Sequence, residues 1–439
     1  MSNLSPQRRL EVLDALRRGT VPRRGLDALA VGLSKFENVL DETLSHVAAG
    51  QSGFKAVRGD YGCGKTFFAR WLQERAKQKS FAVAEVQISE TETPLHRLET
   101  VYRRLIEHLS TSTCESGAFR SVVDGWFYTL EEDAIAAGAD ASSPNKLFEA
   151  ADALMEKRLA TVSKTSATFA AVLRAYRRTI QAGDVGTADG LLAWLGGQPN
   201  VAASIKRAAQ IKGDVDHFTA LNFLQGLLVM LRDSGHAGLV LVLDEIETLQ
   251  RVRSDAREKG LNALRQFIDE IDSGRFPGLF LVITGTPTFF DGQQGVKKLA
   301  PLAQRLATDF DEDGRFDNPR APQLRLLPFQ RENLVEVGRR VRDIFAEGCH
   351  DKARLLTQAD DDLIQRLAER VGGALGNRTG IAPRIFLKKL VADVLDRIDQ
   401  FPEFDAARDY KLTLRMNELT EEEQAQLPAS SADEIKLEW

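Results

Sequence analysis

The chain has 439 residues, 43% hydrophobic and 28% charged, which is too long for one small domain and has the composition of a soluble globular protein. Its net charge is −5, and residues 401–439 alone carry −6, so the other 400 residues sit near +1 and present no global basic footprint for nucleic acid. Three cysteines lie far apart with no C-x-x-C pair, which excludes a disulfide framework and a zinc site.

The opening MSNLSPQRRLEVLDALRRG places a charge every few residues and has no apolar core, so it does not read as a signal peptide. No apolar run reaches 18 residues, so no membrane span is expected and a cytoplasmic location is. Residues 5–18 predict a helix with Leu10, Leu13 and Leu16 on one face, and 33–47 a second amphipathic helix. Phe54–Arg58 reads as a strand, Thr66–Gln78 as a helix and 81–88 as a second strand. From about 95 to 233 nearly every segment has helical period, for example 95–109, 168–182 and 217–233. The apolar runs 238–249 and 278–286 suit central strands of a parallel sheet covered on both faces. Residues 290–322 look irregular, 324–329 strand-like, and helices are expected near 331–347, 360–371 and 382–399. The tail from 401 is acidic, with one strand-like piece at 409–416.

The firmest chemical signal is Gly59-Asp60-Tyr61-Gly62-Cys63-Gly64-Lys65-Thr66, a full match to G-x-x-x-x-G-K-[ST] between a strand and a helix. Glycines let the backbone turn its N–H groups onto phosphate oxygens, and the helix adds its positive end. Lys65 is expected to reach the β- and γ-phosphates of ATP, and the Thr66 hydroxyl to bind Mg²⁺. A P-loop enzyme also needs a carboxylate for the metal and a base for water. The run ending Asp244-Glu245 offers Asp244 for Mg²⁺ and Glu245 as base, and Glu247 reads equally as part of this acidic group or as a solvated neighbour. Thr284 or Thr286, closing the next strand, is a candidate sensor of the γ-phosphate, Thr284 preferred. Arg305 is a candidate arginine finger for a neighbouring subunit. Arg384, following Pro383, is a candidate lid arginine. Arginines at 8, 9, 17, 18, 23 and 24, and Arg174, Arg177 and Arg178, read as solvated faces, with phosphate contact the sharper alternative. Trp126, Phe127 and Tyr128 read as core or a helix-packing patch.

VRGDYGCGKT, the stretch ETPLHRLETVYRRLI, GLVLVLDEIETL, VITGT, LAQRL and APRIFLKKL together resemble the ATP-binding proteins of BREX-type phage-defence systems (the BrxD kind). Those fall in the AAA+ superfamily near its ORC/Cdc6-like branch. The resemblance implies an α/β fold: a P-loop AAA+-like parallel sheet sandwiched by helices, with a large helical insertion and a C-terminal helical lid. It implies contact between adenine and the segment holding Val31 and Gly32, although the usual Gly-Arg-Glu is here Gly32-Leu33-Ser34. The 179 residues from Lys65 to Asp244 imply the insertion. The expected division is 1–94 for the N-terminal helices and P-loop part, 95–233 for the insertion, 234–329 for the Walker B and sensor part, 330–400 for the lid and 401–439 for the tail. The function implied is an ATPase that drives assembly or remodelling on double-stranded DNA or other defence proteins, as a homo-oligomer. The rival readings are a nucleotide-gated scaffold with slow turnover and, further off, a small-molecule P-loop kinase.

Overall fold

In a computed structural model of the chain, the structure describes residues 4–160, 167–374 and 382–412. Among the described residues five strands form one sheet: β1 (Gly53–Arg58), β2 (Ala82–Gln87), β3 (Leu239–Asp244), β4 (Leu279–Gly285) and β5 (Gln323–Arg325). Their order is β2-β3-β4-β1-β5 and every pairing is parallel. Every residue of β3 and β4 is buried, as their unbroken apolar runs require.

The two-residue period of a strand divides the core. Val240, Val242, Phe280 and Val282 point to one face and pack with Phe36, Phe68 and Trp71. These last come from α2 (Ser34–Ala48) and α3 (Lys65–Gln78). Leu239, Leu241, Leu243, Leu279, Leu281 and Ile283 point to the other face. There they meet α4 (Leu98–His108) and the helices that follow it: α5 (Phe119–Ala136), α6 (Pro144–Arg158), α7 (Ala167–Gln181), α8 (Val185–Leu195), α9 (Ala203–Ala208) and α10 (His217–Asp233). Phe223 on α10 is the hub, with Tyr102, Phe169 and Trp194 set edge-on around it at ring distances of 6.0, 5.1 and 5.7 Å.

The α/β fold expected from the sequence is therefore present, a parallel sheet between helices with helical segments inserted after β2 and following β5. The latter are α14 (Arg331–Ala346), α15 (Lys352–Gln358), α16 (Asp361–Ala374), α17 (Ala382–Lys388), a π-helical stretch Lys389–Leu395 and α18 (Asp396–Gln400). The segment expected as one helix over 382–399 is thus interrupted by a π turn.

Helix α1 (Pro6–Arg17) starts on the Ser5 cap with Pro6 in its first turn. It buries Val12, Leu13, Ala15 and Leu16, while Leu10 is 58% exposed. Three residues advance a helix by about 300°, so each i+3 step slips the face back about 60° and carries Leu10 off the arc. This helix shares its core with Leu334, Val337, Ile385 and Val391, more than 300 positions away in sequence. Arg17 clamps it there through paired 2.8 Å bonds to Asp396.

Helix α11 (Ser254–Asp272) joins β3 to β4, and between β4 and β5 the chain forms α12 (Pro287–Asp291) and α13 (Ala300–Arg305), so the stretch read as irregular holds some helix. The strand expected over 324–329 is observed at Gln323–Arg325, which pairs with β1. Residues 409–412 are not strand; the rest of that expected piece, and the acidic tail beyond it, lie outside the described residues. Among the described residues, no helix is long and apolar enough to cross a membrane.

Candidate nucleotide-binding site

The sheet register lines up the carboxyl ends of the strands. Arg58 pairs with Gly285 and Gln87 with Asp244. Ligands of open parallel sheets bind at that edge, and a cavity of about 560 Å³ opens there.

The loop after β1 forms one end of this cavity. Gly62 and Gly64 hold φ of 77° and 97°, a region that disfavours side chains. A Cβ on Gly59 would strike the Cys63 sulfur, so only glycine lets the loop double back on itself. Cys63 is buried, and burial pushes its thiol up to about 11. Helix α3 begins at Lys65 with Gly64 as a cap that offers no side-chain acceptor. Its first-turn N–H groups are therefore donors in need of an external acceptor, the arrangement that holds phosphate.

Lys65 Nζ donates to the carbonyls of Gly59 at 2.9 Å and Asp60 at 3.2 Å. It lies 5.0 Å from the Tyr61 ring centre. The Thr66 hydroxyl donates to Asp244 Oδ2 at 3.3 Å. Hydroxyl and carboxylate oxygens are the donor set Mg²⁺ accepts. These groups, the uncapped α3 terminus and the glycine cradle together fit a magnesium-bound nucleotide phosphate.

Glu245 sits in the left-handed region at φ 58°. This strained turn swings its carboxylate to the end of β2, where Gln87 Nε2 donates to it at 2.8 Å. Thr284 is wholly buried and does not line the cavity. Its hydroxyl donates to Asp244 Oδ1 and accepts the Glu245 N–H at 3.2 Å. Thr284 thus reaches the site through Asp244. Thr286 is 4% exposed and is likewise absent from the cavity wall.

Of the two readings left open for Glu247, the solvated one does not hold: it is 5% exposed and lines the cavity. Neither of its carboxylate oxygens has a hydrogen-bond partner, and one lies 3.9 Å from Lys65 Nζ. Burial raises its pKa, with Lys65 pulling the other way. Periodicity could have flagged it: the short helical turn Ile246–Gln250 after β3 returns position 247 toward the loop.

Val31, Gly32, Pro383 and Arg384 line the same cavity as the phosphate loop. Arg305 does not; it ends α13 and pairs with Asp269. Arg177 is 5% exposed rather than solvated, and is held by Asp152 at 2.6 Å and Glu131 at 2.9 Å between the rings of Phe127 and Phe148. Trp126 and Phe127 are buried as expected of core, while Tyr128 is exposed.

Residues 4–414 match the family described as BREX system ATP-binding protein BrxC/D. The chain belongs to that family. The family is described as ATP-binding, so ATP is the nucleotide of a BrxC/D protein, and phage defence is the setting of its system. No curated protein matches the chain. Among solved structures it is similar to the Aeropyrum pernix ORC1 protein in complex with DNA, at 14% identity and a TM-score of 0.27, covering 83% of this chain and 66% of that one. It is also similar to Drosophila ORC bound to DNA, at 15% identity and a TM-score of 0.29, covering 90% of this chain and 69% of that one. The BrxC/D chain thus spans about two thirds of each of these neighbours.

Proposed function

We propose that this protein hydrolyses ATP with Mg²⁺ and uses the cycle to drive assembly or remodelling on DNA or partner proteins in BREX-like defence. The observation that carries this reading is the meeting of Lys65, Thr66, Asp244 and Glu245 at one end of a single cavity. The α3 terminus and Lys65 bind the β- and γ-phosphates, Lys65 exchanging its loop carbonyls for phosphate oxygens. Thr66 and Asp244 hold the magnesium, which neutralises charge on those oxygens. Glu245 orients a water whose oxygen attacks the γ-phosphorus as the bond to the β–γ bridging oxygen breaks, and it takes the water's proton. Thr284 fixes Asp244, and Arg384 reaches the phosphates from the lid. Arg305, standing outside its own cavity, serves a neighbouring copy.

The division into ATPase core, insertion, lid and acidic tail belongs to the same proposal, with α1 lending its face to the lid. Exposed Arg8, Arg18 and Arg23 are the local basic groups offered for double-stranded DNA. A second reading, a nucleotide-gated scaffold with slow turnover, is favoured by the Gln87 bond that occupies Glu245.

Turnover of wild type and Glu245→Gln, each with and without double-stranded DNA, tests the proposal. Wild type should hydrolyse ATP and Glu245→Gln should bind but not turn over. Equal turnover in the two proteins would remove Glu245 as the base. Sizing Glu245→Gln with ATP tests the oligomer, and a strict monomer would end the role given to Arg305.

A further inference from the structure

Away from the phosphate loop the cavity wall mixes apolar residues such as Leu29, Val31, Phe329 and Leu387 with the polar Thr20, Lys35 and Arg384. Gln330 and Asn333 join it at the start of α14. The two close a reciprocal cap, in which the Gln330 side chain accepts the Asn333 N–H and the Gln330 N–H donates to Asn333 Oδ1 at 3.1 Å. That bond decides which way the Asn333 amide faces, because the opposite flip would set an NH₂ against an N–H. Its Nδ2 donor pair is left directed elsewhere. A Cβ built on Gly32 would meet Asn333 Nδ2 at 3.9 Å and nothing nearer. The donor therefore stands beside the Val31-Gly32 segment of the cavity wall.

We infer that Asn333 is the residue that selects adenine over guanine, its Nδ2–H donating to adenine N1. Guanine carries a proton at N1 and would set donor against donor. The inference rests on the reading of this cavity as the nucleotide site. A donor held in one orientation discriminates between the bases, since the wrong base sets donor against donor and leaves both unpaired. Gln330 supports this as a positioning residue that holds the amide.

The test is calorimetric binding of ATP and of GTP, with Mg²⁺, to the full chain. Wild type, Asn333→Ala, Asn333→Asp and Lys65→Ala are compared. Asn333→Asp keeps an oxygen for the Gln330 N–H and so keeps the cap. Its other oxygen accepts from guanine N1–H and N2–H. Any effect of its charge on the triphosphate cancels in the ratio of the two affinities. The ATP-to-GTP preference should fall about tenfold in Asn333→Ala and further, toward GTP, in Asn333→Asp. An unchanged ratio in both variants overturns the inference. So does a change in Asn333→Ala alone, which would assign the effect to the cap. If Lys65→Ala bound both nucleotides like wild type, the reading of the cavity itself would fail. A Lys65→Ala defect beside an unchanged ratio would sink only the role of Asn333.

Discussion

Thr284 and Asp244 are joined by a hydrogen bond from the threonine hydroxyl to Oδ1, which leaves Oδ2 to meet Thr66 at 3.3 Å. The same hydroxyl accepts the Glu245 N–H at 3.2 Å. One buried oxygen thereby sets the direction of both acids that end β3. Thr284→Val keeps the shape and removes these bonds. A net hydrogen bond contributes about 1 kcal/mol, so the Mg²⁺ concentration needed to support ATP binding should rise about fivefold. Titration of ATP binding against Mg²⁺ checks this, and an unchanged midpoint contradicts it.

Gln87 holds Glu245 through a 2.8 Å bond. Gln87→Ala frees the carboxylate to face water. Basal phosphate release should increase by up to about fivefold, the value of one such bond. A fall in steady-state turnover would mean that Gln87 instead aims the base productively.

Glu247 is buried without a hydrogen-bond partner, and burial raises its pKa above the ordinary 4.5. A carboxyl with a raised folded-state pKa favours folding below its unfolded pKa and loses that contribution as pH rises through the folded value. At neutral pH its ionisation therefore costs stability. Glu247→Gln should melt above wild type at neutral pH without nucleotide, and the gap should close as pH falls toward 4.5. Thermal melts at a series of pH values decide it; a gap that widens in acid refutes it.

Cys63 lies 3% exposed inside the phosphate loop with its thiol pushed up to about 11. Thiolate, not thiol, reacts with alkylating agents. At pH 8 the folded protein should leave Cys63 unmodified by iodoacetamide for as long as unfolded protein at pH 8 takes to react fully. Mass spectrometry of the peptide around residue 63 reads the result.

Arg177 is a buried cation of the inserted helices, paired to Asp152 and Glu131. Arg177→Ala strands two carboxylates and removes the group packed between Phe127 and Phe148. Its two acids are partly exposed, so a loss of about 2–3 kcal/mol is expected. Denaturant unfolding measures it, and a change below about 0.5 kcal/mol would return Arg177 to the surface-charge class.

The sequence by itself determined the local features. The runs that became β3 and β4 were legible because a strand buried on both faces must be apolar throughout. The phosphate loop was legible because glycine is the residue that favours the positive φ of Gly62 and Gly64, and Lys65-Thr66 after them is the pair that phosphate and Mg²⁺ binding call for. Tertiary structure decided what depends on distant residues meeting. Arg177 looks like a surface charge in sequence and Glu247 reads equally as one, and both are buried because neighbouring elements close over them. Thr284 reads as a sensor facing the ligand, yet the β3–β4 pairing turns its hydroxyl onto Asp244. Asn333 carries no motif; it enters the cavity because the Gln330 cap fixes its amide and the fold brings Gly32, 301 positions earlier in the chain, alongside. Periodicity records which face of an element is buried, but not which element arrives to bury it.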